Sequence, residues 1–185
     1  MPIVANSAGD ALSAGLLVVR LILGLGIAAH GAQKVFGWFG GKGIAGMGAI
    51  LEGLGFRPGA FFAALSGAGE LAGGLLVALG FLGPVGPAII AAVMVVAIAT
   101  VHWKNGFFAT DGGYETALMY LVGASAIAFA GPGGYSLDAW LGLASLSAAP
   151  KVWIALALGI VAGFGALAAR RSGAPVTSGA AGATR

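Results

Sequence analysis

The chain has 185 residues, 59% of them hydrophobic and only 8% charged, and its mean hydropathy is +0.99. A water-soluble domain of this length carries charge on roughly a quarter of its residues, so the composition excludes one and points to a membrane interior. The net charge of +3 includes no basic run interleaved with aromatics, which leaves nucleic-acid binding unsupported, and the absence of cysteine excludes thiol–disulfide, iron–sulfur and zinc–thiolate chemistry within the chain.

Roughly 20 helical residues cross the hydrocarbon core of a bilayer. The first candidate span covers residues 11–29 and is broken only by Arg20. No basic residue precedes it and Arg20 splits it, so a cleaved signal peptide is not expected. A polar-aromatic loop over 30–59 leads to the second span, 60–82, broken only by Glu70. A tight turn at 83–86 precedes the third, 87–101, where Pro87 suits a first helical turn. The connection 103–113 ends in Asp111-Gly112-Gly113 and opens the fourth and shortest span, 114–130. Gly131-Pro132-Gly133-Gly134 breaks that helix. Residues 136–147 read as an interfacial or re-entrant helix, and 152–169 as a fifth span bounded by Lys151 and by Arg170-Arg171. The small, polar stretch 172–185 reads as a disordered cytoplasmic tail.

With spans alternating sides, one face holds Lys34, Lys42, Arg57, Lys104, Arg170, Arg171 and Arg185, and the other only Lys151. Basic residues favour the cytoplasmic side, so the N-terminus is expected outside and the C-terminus in the cytoplasm. Trp38, Trp103, Trp140 and Trp153 fall mostly near span ends, as an aromatic belt at the membrane surface requires.

Two sets of polar residues are candidates for chemistry. Arg20 and Glu70 each lie near the middle of a span, and a lone charge there costs several kcal/mol. They are expected to pair, either to fix helix packing or to line a ligand or proton path. Gly69 and Gly73 beside Glu70 form a small-xxx-small pair suited to close helix approach. The second set is His30, Lys34, His102, Tyr114 and Glu115, all at the cytoplasmic ends of helices. Its histidines are open to three readings: a hydrogen bond to a ligand such as a quinone carbonyl, a proton relay, or a satisfied interfacial imidazole. Two histidines and a glutamate make a thin donor set, and no metal is assigned. The Gly37-Trp38-Phe39-Gly40-Gly41-Lys42 stretch lacks the spacing and the Ser/Thr of a phosphate loop.

These motifs, taken in order, resemble those of the DoxX family of small bacterial membrane proteins. The resemblance runs through Arg20, His30-Gly31-x-x-Lys34, Gly37-Trp38-Phe39-Gly40-Gly41 and Gly43-x-x-Gly46. It continues through Leu54-Gly55-Phe56, Glu70-Leu71-x-Gly73-Gly74, Val101-His102-x-x-x-Gly106-Phe107-Phe108 and Gly113-Tyr114-Glu115, and closes on Gly131-Pro132-Gly133-x-Tyr135-Ser136-Leu137-Asp138. It implies an all-α, four-helix transmembrane bundle over 1–145, to which this chain adds a transmembrane helix over 150–170. Family members are usually grouped with oxidoreductases, some linked to quinone chemistry and some associated with soluble redox enzymes. The resemblance therefore implies a redox-associated subunit of the bacterial plasma membrane that binds a quinone or similar lipophile. The alternatives are a non-catalytic anchor for a soluble oxidoreductase and a small proton-linked transporter.

Overall fold

The computed structural model describes residues 3–170; the tail expected at 172–185 lies outside them. The helices are α1 (Ile3–Val35), α2 (Gly43–Gly53), α3 (Gly59–Leu79), α4 (Val85–Ala97), α5 (Glu115–Ala130), the single turn α6 (Leu137–Trp140) and α7 (Ala149–Ala168). A π-helical turn, Ile98–His102, continues α4. Among the described residues there is no strand. Four helices are long and apolar enough to cross a membrane: α1, α3, α4 with its π turn, and α7; α5 is a shorter apolar helix. The protein is an all-α membrane bundle.

Consecutive long helices alternate in direction, so the bundle has an α2 end and an α6 end. At the α2 end the Arg170 side chain donates to the Leu54 carbonyl, which ties the close of α7 to the α2–α3 connection. At the α6 end α3 stops where Gly80 adopts φ +62° and its N–H and that of Phe81 bond back to Val77 and Leu76, at 3.0 and 2.9 Å. This is the left-handed helix stop that glycine makes without steric cost. Trp38 and Trp103 lie exposed at the α2 end, Trp140 and Trp153 at the α6 end, so each end of the bundle carries two indoles, as an aromatic belt requires.

α1 packs most extensively on α3, through glycines on both. A Cβ at Gly74 would come within 2.5 Å of the Gly24 carbonyl oxygen, and one at Gly31 would run into the Leu71 and Gly67 backbone. Backbone cannot retreat as a side chain can, so these glycines fix both the spacing and the register of the two helices. Gly69 and Gly73, by contrast, face Ile89, Ile90 and Val93 of α4. Gly31→Leu is expected to exceed the roughly 1–3 kcal/mol of ordinary overpacking and to abolish a monodisperse bundle on size-exclusion in mild detergent. Gly15→Leu is the control, because nothing lies within 4 Å of that position; equal behaviour of the two variants would refute the packing role.

Two expectations need correction. The stretch 30–59 is not a loop: α1 continues to Val35, and α2 occupies 43–53. Gly46 and Gly48, inside α2, weaken it by about 1 kcal/mol each relative to alanine. Packing overrides this, because Leu51 is buried with Phe56 and Ala63, and Gly48 lies against Gly59 and Ala60. The expected helix over 136–147 is reduced to α6 and a 3-10 turn, Ala144–Ser147.

Candidate functional site

The register set by the glycines decides which charges meet. Gly24 faces Gly74 and Ala78, and Gly31 faces Gly67 and Leu71. Lys34 therefore reaches Glu70, with Nζ 2.6 Å from Oε1. Arg20 instead lies against Gly80, at the far end of α3. The expected Arg20–Glu70 pair does not form: ten residues of helix, about 15 Å, separate their levels on α3. The sequence placed the first span at 11–29, which put Arg20 at its middle. The part of α1 that crosses the bundle begins near Arg20.

Arg20 is fully buried, and one of its Nη atoms donates to the Tyr135 carbonyl. Its Nε and the other Nη have no protein partner. They border a cavity of about 10 Å³, room for one water. Asp138, also fully buried, supplies the nearby negative charge. Its carboxylate accepts from the Leu82 and Gly83 amides at 2.9 and 2.7 Å, and its own N–H donates to Gly80 O at 3.0 Å. This cluster holds α6, the α3–α4 turn and α1 together, and its geometry is that of a structural clasp.

The α2 end differs. Glu70 is 3% exposed, and its Oε2 has no partner. Lys34 lines a groove of about 560 Å³ between α3, α4 and α7, closed at one end by α2. Near Lys34 the wall carries Ser66 and Thr100; toward Val85 it is entirely apolar, with Ile89 and Leu158 among the lining residues. From Thr100 to Val85 the groove follows α4 for on the order of 20 Å. It is thus a long apolar slot with a cation and two hydroxyls at one end, of a volume ordinary for small-molecule sites.

The DoxX family model matches residues 15–103, which span α1 to α4 and its π turn. The chain carries a DoxX domain. No curated protein and no solved structure matches it.

Arg20, His30, Lys34, Glu70 and His102 lie inside the DoxX match; Tyr114, Glu115 and Asp138 lie beyond it. The proposed convergence of His30, His102 and Glu115 does not occur. His102 Nδ1 lies 2.7 Å from Gly112 O, and Glu115 accepts from the Ala109 amide at 2.9 Å. Both side chains fasten the α4–α5 connection, where Tyr114 stacks on Trp103 with ring centroids 5.3 Å apart. His30 is exposed on α1 and meets Tyr120 edge to face at 5.9 Å. Tyr120 lies within Coulombic reach of Glu70 and rests its hydroxyl against Gly26. No three of His, Asp and Glu gather to hold a metal among the described residues. Within the DoxX match, the polar groups that reach the wall of the large groove are Lys34, Ser66 and Thr100. Thr100 was legible only as the lone hydroxyl in an apolar run, and Tyr120 carried no signal beyond its ring.

Proposed function

We propose that this DoxX protein binds a lipophilic small molecule with a polar head, a quinone or a close relative of one, in the groove between α3, α4 and α7. The observation that carries this reading is the polarity gradient of the groove: Lys34, Ser66 and Thr100 at one end, aliphatic side chains along the rest. An apolar tail gains from burial along the slot, and a head-group oxygen accepts from the Lys34 ammonium. The resemblance to family members linked with quinones and soluble redox enzymes supports a redox-associated role with such an enzyme as partner. A pure anchor needs no such groove, and a transporter would be expected to show internal repeats or discontinuous helices.

The same reading places the protein in the bacterial plasma membrane with its α2 end cytoplasmic. That end carries Lys42, Arg57, Lys104 and Arg170, against Lys151 at the other. Residues 1–145 then form the DoxX-type bundle, and the helix over 150–170 is an addition that completes the groove wall.

The test is purification in mild detergent with mass spectrometry of retained lipophiles. Ala162 lines the groove from its exposed side, so Ala162→Phe fills the slot without entering the core. Retention is expected to fall at least about tenfold with the unfolding temperature unchanged; wild-type retention in that variant would overturn the proposal.

A further inference from the structure

Resting on the groove reading above, we infer that the groove selects a head group bearing a hydroxyl, such as a hydroquinone, over one that only accepts hydrogen bonds, such as a quinone. The argument is a count of hydrogens at the polar end. Lys34 Nζ carries three and donates one to Glu70. The Ser66 hydroxyl has one hydrogen, and it points to the Ala63 carbonyl oxygen, 3.3 Å away. The Thr100 hydroxyl has one hydrogen, and it points to the Val96 carbonyl oxygen, 2.8 Å away. A carbonyl oxygen can only accept, so these two assignments leave no choice of direction.

Ser66 Oγ and Thr100 Oγ1, each with its one hydrogen committed to the backbone, therefore offer lone pairs at the same end of the groove as the Lys34 ammonium. A quinone oxygen fits Lys34 but meets the two hydroxyls lone pair to lone pair. Accommodating it means leaving them unsatisfied in a dry slot or turning them away from their backbone acceptors, and either choice forfeits a hydrogen bond. A head with an O–H satisfies both kinds of wall group at once: its oxygen accepts from Lys34 and its hydrogen goes to Thr100 or Ser66. Thr100 is 8% exposed, so bulk water does not replace the missing donor.

The test uses the full chain in lipid nanodiscs under anaerobic conditions with three decyl-substituted probes of one skeleton: the hydroquinone, the quinone and the hydroquinone dimethyl ether. The hydroquinone is expected to bind at least about tenfold more tightly than the other two, as one to two additional hydrogen bonds imply. In the variant combining Ser66→Ala with Thr100→Val, that preference is expected to fall below about threefold, because the hydroquinone loses its acceptors and the two other probes no longer face the hydroxyl lone pairs. Equal binding of hydroquinone and dimethyl ether by the wild type would overturn the inference and leave the groove reading standing. So would a preference that survives the double substitution. Failure of all three probes to bind would remove the groove reading and this inference with it.

Discussion

Lys34→Met is expected to destabilise the bundle by about 3–5 kcal/mol, the range for breaking a buried ion pair from one side. The substitution leaves the Glu70 carboxylate, 3% exposed and with Oε2 already unpartnered, without its cation. Glu70→Gln is expected to cost less. The Lys34 side chain is 22% exposed, and its ammonium can swing toward the membrane surface on four methylenes. Combining Lys34→Met with Glu70→Gln is expected to recover most of the loss, because no buried charge then remains. Unfolding in mild detergent, followed by heat or by added denaturing detergent, measures all three variants. If the double variant equals the sum of the singles, the two residues are not coupled.

Asp138→Ala is expected to cost a comparable amount for a different reason. It strands the partly buried amides of Leu82 and Gly83, each at up to about 1–3 kcal/mol, and removes the negative charge beside Arg20. Leu82 holds φ +61°, a left-handed conformation unfavourable for a branched side chain, and its amide is one of the two that Asp138 fixes. Asp138→Asn keeps one accepting oxygen and gives up the charge, so its loss is expected to fall between wild type and alanine. The same unfolding measurement decides. Wild-type stability in Asp138→Ala would remove the clasp as an organising element of the α6 end.

Much of the architecture was legible because the bilayer imposes it. The apolar runs mark α1, α3, α4, α5 and α7, and the tryptophans mark both surfaces. Pairing of the charges was not legible, because it depends on how far α1 slides along α3. Hydropathy centres a span on its apolar residues, whereas the slide is set by Gly24, Gly31, Gly67 and Gly74. A slide of about ten residues moved Arg20 from Glu70 to the α3–α4 turn and left Lys34 about one turn from Glu70, within reach of its long side chain. α2 was hidden by its own glycines, whose low propensity is outweighed by contacts with α3. The groove was hidden for a third reason. Its walls come from helices far apart in the chain, and its depth depends on how α7 rests on α4 where Gly159 meets the Ala88 backbone.

The placement of the two charge clusters also bears on electrical insulation. Lys34 with Glu70 lies toward one membrane surface, and Arg20 with Asp138 toward the other. Between those levels the interior is built from Ile27, Val77, Ile90, Ala124 and Ile127, all buried and all hydrocarbon. An ion taken into such a layer faces an idealised Born penalty of order 20 kcal/mol, and one of several kcal/mol even after relaxation. That layer offers it no charged side chain; the Tyr120 hydroxyl beside Gly26 is a neutral group. A conductance measurement on planar bilayers containing the purified protein should therefore record the leak of lipid alone. Whatever passes between the two sides of this membrane by way of the protein would have to travel as a neutral, fat-soluble species along the flank of the bundle.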